Sequence, residues 1–161
     1  MITFQKAKSE EAPEIKQLLR ITWNMAYKDV YPSEAIDAIT SEWHSIKFLE
    51  EQIKDPTILF LVAKNNNQII AMCNTDKVET EIINIQRVHV LPTCQGKGIG
   101  SQLIEEVAKH FPKAKKLQLE VEEQNEKARV FYENRGFAKV GEKVFEVAGF
   151  KMPSFVMEKA L

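Results

Sequence analysis

Three of the chain's six glycines, Gly96, Gly98 and Gly100, fall within five residues in QGKGIG, and a helix-like pattern begins directly behind them. Glycine adopts positive φ at no steric cost and lets a backbone approach a ligand closely. A helix start carries N–H groups with no intrahelical acceptor, at the positive end of the helix dipole. Together these make a cradle for an anion such as a pyrophosphate. A second pair, Asn125 and Tyr132, stands seven residues apart in NEKARVFY. That is nearly two helical turns, so both lie on one helix face, with the small Ala128 between them. Asn125 could serve alone as an N-cap, and Tyr132 as a core aromatic with its hydroxyl at the rim. Their shared face, downstream of a glycine loop, favours a role in holding a ligand.

The elements that must position these residues follow from periodicity. ITFQKA reads as a short first strand. A helix capped by Ser9 begins near Glu11 and carries Ile15, Leu18, Leu19 and Thr22 at helical spacing. YPSEAIDAIT reads as a break and a second helix capped by Ser33, and a third runs from Ser41 to about Ile53, before Pro56. Ile58 to Ala63, NNNQ and Ile69 to Asn74 form a hairpin signal. EIINIQRVHVLP is a β-branched central strand ended by Pro92. Strict alternation sets Ile83, Ile85, Arg87 and His89 on one face, with Ile82, Asn84, Gln86, Val88 and Val90 on the other. A helix over about Gly98–His110, a strand in KLQLEVE, a helix from Asn125 to Gly136 and two closing strands complete the chain. This order predicts an α+β (mixed α/β) fold around one sheet, with residues 1–161 as a single domain.

The loop excludes two familiar phosphate sites. A Walker A loop needs Gly-Lys-Ser/Thr after four intervening residues, which is absent. A dinucleotide fingerprint needs Gly-x-Gly-x-x-Gly after an early strand, whereas these glycines alternate Gly-x-Gly-x-Gly after a meander. Composition narrows the classes further. The 161 residues are 44% hydrophobic and 28% charged, with a net charge of −1, as expected of a soluble globular protein with no global attraction to nucleic acid or an anionic membrane. The short basic run Lys113, Lys115 and Lys116 reads as a solvated turn. No apolar run approaches the ~20 residues of a membrane span, and the first residues lack a signal-peptide pattern. Two isolated cysteines, Cys73 and Cys94, and three scattered histidines offer neither a disulfide framework nor a metal site, so a reducing cytoplasm is the expected compartment.

VHVLPTCQGKGIGSQLIEEV followed by NEKARVFYENRGF resembles the acetyl-CoA-binding signature of the GNAT superfamily of N-acetyltransferases. The likeness is strongest from about Ile85 to Phe137, and the element order agrees from Ile2 to the C-terminus. It implies a mostly antiparallel central sheet whose two middle strands splay apart, with acetyl-CoA as acetyl donor and CoA as product. Val88, His89 and Val90 would line the pantetheine arm, chiefly through the backbone of the two valines. Gln95, Gly96, Lys97, Gly98, Ile99, Gly100 and Ser101 would hold the pyrophosphate, and Asn125, Ala128 and Tyr132 would flank the thioester.

Acetyl transfer from a thioester to an amine needs a deprotonated amine, a donor to the developing oxyanion and a proton for the departing thiolate. The resemblance implies that Tyr132 protonates the thiolate and that a strand N–H, that of Val88, polarises the carbonyl. The reaction needs no covalent enzyme intermediate, so Cys94 reads as a small loop residue. The base stays open. Gln86 stands nearest the strand position where many relatives carry a glutamate, and it cannot accept a proton; Glu79, Glu81 and His89 are the neighbours that could. The acceptor falls to the first helices, where Trp23, Tyr27 and Tyr31 lie beside Asp29, Glu34 and Asp37. Aromatics beside carboxylates suit a cationic amine; the other reading is that Trp23 and Tyr27 pack this helix onto the sheet, and Trp23 favours it. The expected function is direct transfer to a primary amine of a small molecule such as a polyamine, or to a peptide N-terminus. The alternative is a non-catalytic CoA-binding sensor on the same fold. No metal, membrane or nucleic acid enters this reading, and a homodimer is compatible with it.

Overall fold

The computed structural model describes Met1–Leu161. Its elements run β1 (Ile2–Lys6), α1 (Ala12–Tyr27), α2 (Ser33–Trp43), α3 (Ile46–Lys54), β2 (Phe60–Asn65), β3 (Gln68–Thr75), β4 (Ile82–Val90), α4 (Ile99–His110), β5 (Lys116–Glu122), α5 (Glu126–Glu133), β6 (Ala138–Val147) and β7 (Phe150–Ala160). The seven strands form one sheet in the order β1-β2-β3-β4-β5-β7-β6. Every pairing is antiparallel except β4 with β5. That parallel pair is the consequence of α4, which carries the chain across the sheet between the two strands.

Two apolar layers flank the sheet. On one face Leu103, Ile104 and Val107 of α4, with Tyr132 and Phe137, pack on Ile83, Ile85, Leu117, Leu119 and Val121. On the other, Ile15, Leu18 and Leu19 of α1 and Leu49 of α3 cover Phe60, Val62, Ile69 and Met72. A third cluster of Trp23, Tyr27, Ile36, Ile39, Val147 and Met152 ties α1 and α2 to the β6–β7 hairpin.

Three local expectations give way to the structure. Ser9 caps nothing: a single 3-10 turn, Ser9–Glu11, precedes α1, and the Glu11 carboxylate accepts from the Lys8 N–H at 3.0 Å. Ser33 is the first residue of α2, behind an uncapped Pro32. The third helix begins at Ile46, because Ser45 accepts from the Phe48 N–H at 3.1 Å and thereby fixes a new helix start. The NNNQ hairpin is tight as expected, with Asn66 and Asn67 both at positive φ.

The largest departure is in β4. Asn74 of β3 pairs with Arg87, yet the next residue, Thr75, pairs with Ile85. Gln86 is therefore an extra, unpaired residue, a β-bulge. Strict alternation fails there. Gln86 and Arg87 both face α3, where both bond Gln52, and His89 continues on that side against Thr22 of α1. Val88 and Val90 return to the side of Ile83 and Ile85, against the α4–α5 layer.

Candidate active site

The β4–β5 ladder runs only from Ile82↔Lys116 to Ile85↔Leu119. Beyond it the strands separate, as the splayed sheet requires. The Leu91 N–H donates to Ile70 on the β3 side at 2.9 Å. Backbone alternation then turns the N–H groups of Val90 and Val88 the other way, into the gap. The Val90 carbonyl on that side already accepts from Gln95 Nε2 at 3.0 Å.

Two clefts of about 390 Å³ each meet at this opening. The first is lined by Val88, Val90, Cys94 and Gln95, the glycine loop, and the α5 side with Lys127, Phe131 and Arg135. Gly98 stands at φ 79° as the N-cap of α4. The first helical bond is Gln102 N–H to Gly98 at 3.0 Å, so the N–H groups of Ile99, Gly100 and Ser101 precede the ladder at the mouth of the cleft. The three glycines divide the work. Gly96 and Gly98 take positive φ in open space, whereas Gly100 is helical, and a Cβ there would lie 3.0 Å from Phe131 Cζ. Gly100 thus lets α4 and α5 close on one another.

Lys127 and Arg135 are two cations that sequence reasoning missed. Lys127 Nζ donates to Gln95 Oε1 at 2.7 Å, and Arg135 lies 3.5 Å from the Phe131 ring centre and bonds Ser101 Oγ. Their i, i+4, i+8 spacing with Phe131 was the available signal. Lys97 is exposed on the loop and is not among the lining residues of this cleft.

The second cleft lies on the opposite side of the opening. Trp23, Tyr27, Trp43, Phe48 and Phe145 supply aromatic walls, and Asp76, Glu120 and Glu122 supply carboxylates. Gln86, Arg87, His89 and Lys143 also reach it. Trp23 and Tyr27 are buried, with ring centres 4.5 Å apart, and Trp23 also packs in the third core cluster. Tyr31 is half-buried outside the cleft lining, its phenol pKa raised by burial and by the Glu122 carboxylate. Arg87 is buried below this cleft and donates to Gln52, Asn74, Gln86 and the Trp43 carbonyl; burial lowers its pKa to about 10.

Four residues line both clefts: Val88, Asn125, Ala128 and Tyr132. Asn125 is the N-cap of α5 and also reaches across to α1. Its Oδ1 accepts from the Ala128 N–H at 3.2 Å as the α5 cap, while Nδ2 donates to Tyr27 Oη at 3.3 Å. Tyr27 is pushed up to about 12 by burial. Tyr132 is held edge-on by Phe131 and Phe137, and burial raises its phenol pKa far above the usual value, so it stays protonated.

None of the residues around the expected proton-acceptor position offers a base. Gln86 Oε1 accepts from Gln52, Asn74 and Arg87. His89 bonds Thr22, whose hydroxyl donates to Leu19 O and therefore accepts from His89 Nδ1 at 3.0 Å. Burial, then the Arg87 charge, lower His89 to about 3. Glu79 and Glu81 are exposed and line neither cleft. No group of His, Cys, Asp and Glu residues could hold a metal ion, and no helix is long and apolar enough to cross a membrane.

The sequence profile of the Acetyltransferase (GNAT) domain matches residues 27–160. The chain belongs to the GNAT acetyltransferase family. It is similar to the 5-NmdU N-acetyltransferase of Pseudomonas phage PaMx11, 28% identical over 145 residues that cover 88% of this chain and 91% of the relative. An N-acetyltransferase from the pepI 3′ region of Lactobacillus delbrueckii subsp. lactis is 28% identical over 134 residues, 71% of this chain and 77% of the relative. The fold superposes on the PaiA N-acetyltransferase of Thermoplasma acidophilum, solved with coenzyme A, at TM-score 0.87 and 24% identity, covering 100% of this chain and 99% of that one. This GNAT protein is an acetyl-CoA-dependent N-acetyltransferase, with acetyl-CoA as acetyl donor and CoA as product.

Proposed function

We propose that this enzyme transfers acetyl directly to a primary amine carried on a small cationic molecule, of which a polyamine is the simplest example; a peptide N-terminus is the second candidate. The observation that carries this is the meeting of two clefts at Val88, Asn125, Ala128 and Tyr132. A ternary complex then needs no shuttling intermediate. In this reading the N–H groups behind Gly98, with Lys127 and Arg135 nearby, hold the pyrophosphate. The pantetheine arm lies along the freed edge of β4 as a surrogate strand. The Val88 N–H polarises the thioester carbonyl. Tyr132, kept protonated by burial, delivers its proton to the sulfur as the C–S bond breaks. The aromatic walls and three carboxylates of the other cleft favour a cationic acceptor. Cys73 and Cys94, both free thiols, are in keeping with a reducing cytoplasm.

The test is incubation with acetyl-CoA and a panel of amines, polyamines, amino acids and peptides, read by mass spectrometry for one added acetyl group. The expected outcome is fastest acetylation of an amine bearing a second positive charge. Preference for neutral or anionic amines would overturn the acceptor class, and CoA release indifferent to every amine would overturn direct transfer.

A further inference from the structure

The acceptor must lose a proton before it attacks, and none of the bases considered from sequence can take it. The second cleft holds three carboxylates. Asp76 accepts from Asn84 Nδ2, and Glu120 faces Lys143 Nζ at 3.9 Å. Glu122 differs from both. It is 4% exposed, its Oε2 accepts from the Gln124 N–H at 3.0 Å, and its Oε1 is buried with no hydrogen-bond partner. Buried polar atoms in native structures are nearly always paired, so an orphaned carboxylate oxygen in a substrate cleft points to a missing donor. Glu122 is the last residue of β5, just beyond the point where β4 diverges, and shares the cleft with Tyr132, Asn125 and Val88.

We propose that Glu122 is the general base that deprotonates the acceptor amine. This rests on direct transfer to an amine, as above. The incoming ammonium gives one proton to Glu122 Oε1, which passes it to bulk water before the next turnover. The amine nitrogen then bonds to the acetyl carbon. As the adduct collapses, the C–S bond breaks and Tyr132 protonates the sulfur. A second proton, released from the nitrogen, restores the Tyr132 phenol. The third stays on the amide.

The surroundings suit the task. Tyr27, Tyr31 and Glu123 act on Glu122 directly, and the other titratable groups of the cleft are Glu120 from its own strand, Arg87 and His89 from β4, Tyr132 from α5, Lys143 from β6, His44 after α2 and Asp76 after β3. Lys143 is turned to Glu120, and His89 is neutral. Burial raises the Glu122 carboxyl, against the pull of the Gln124 N–H on Oε2 and of the nearby Tyr31 hydroxyl, which stands outside hydrogen-bonding geometry with Oε1. A base with a raised pKa takes a proton more readily at neutral pH.

The decisive experiment is the pH dependence of kcat/KM for wild type, Glu122→Gln and Glu120→Gln, with spermidine as first acceptor or otherwise the amine that the panel returns. Wild-type activity should fall as acid protonates Glu122. Glu122→Gln should lose roughly 10²-fold or more in kcat, keep its acetyl-CoA affinity by calorimetry, and lose the acid limb. Glu120→Gln should raise the acceptor KM and keep that limb. Should Glu122→Gln fail to fold, Glu122→Asp and a ¹³C titration of labelled glutamate carboxyls in the wild type decide. Burial raises both Glu120 and Glu122, so the expected result is two carboxyls titrating above their peers, of which the one absent from Glu122→Asp is perturbed by spermidine. Wild-type kcat and acid limb in Glu122→Gln, transfer of the limb to Glu120, or the absence of such a carboxyl would each overturn the proposal. Failure of the wild type on every amine would instead overturn direct transfer itself.

Discussion

The two clefts are equal in volume and built in opposite ways. The glycine-loop cleft, proposed for the cofactor, is mainly backbone and small residues from one stretch between Val88 and Gly100, closed by α5. The aromatic cleft, proposed for the acceptor, is a mosaic of side chains from α1, α2, α3, β4, β5, α5, β6 and β7. A site made of backbone is fixed by conformation, which needs glycines at particular positions. A site made of side chains can change its ligand without changing its fold.

That contrast can be broken at its seam. Tyr132→Phe should lower kcat by roughly 10²-fold or more while leaving acetyl-CoA affinity and acceptor binding unchanged. Turnover that survives in the phenylalanine variant would mean that Tyr132 is only packing. The acceptor side should also respond to acid as a whole. His44 is held at about 2 and His89 at about 3, both below their ordinary 6.5, chiefly by burial. The unfolded chain takes up protons on both below pH ~6.5 and the folded chain does not. Stability should therefore be intact above that pH and fall below it by about 1.4 kcal/mol per histidine per pH unit. Melting curves from pH 7.5 to 5 check this, and His44→Phe should reduce the slope by about half.

On the cofactor side, Gly100→Val drives a side chain into Phe131 and should cost about 1–3 kcal/mol of stability, with weaker acetyl-CoA binding. Calorimetry that finds affinity and melting temperature intact would show that α4 and α5 can part freely. Tyr27→Phe removes only the partner of Asn125 Nδ2, a loss of about 0.5–1.5 kcal/mol. It should move the acceptor KM by a few-fold and leave acetyl-CoA affinity alone. An effect on CoA instead would mean that Asn125 transmits strain from one cleft to the other.

The same contrast explains what was legible in the chain. Gly96 and Gly98 announce positive φ by their identity, and Asn125 and Tyr132 announce a shared face by their spacing. The order of strands and helices also followed from periodicity. Helix starts were less legible, because Ser9, Ser33 and Ser45 are equally good caps on paper and only Ser45 bonds a backbone N–H. The acceptor cleft was barely legible: Glu122, Trp43 and Phe145 are distant in sequence and meet only through the sheet order. Arg87 and His89 were assigned to the wrong face, since alternation carries no mark of where a strand gains one residue.

That extra residue acts as a phase shifter. A regular strand gives each face every second position along its whole length. Gln86 resets the count midway, so β4 can serve one set of neighbours before the shift and another after it. Had the chain run through Gln86 in strict alternation, Arg87 and His89 would lie in the oily layer beneath α4, and Val88 and Val90 would turn toward the polar side. Deleting Gln86 would instead restore a regular ladder and keep every later face, because Ile85 and Arg87 would become neighbours on opposite sides. What the extra residue adds is a second polar side chain, next to Arg87, on the face that meets α3.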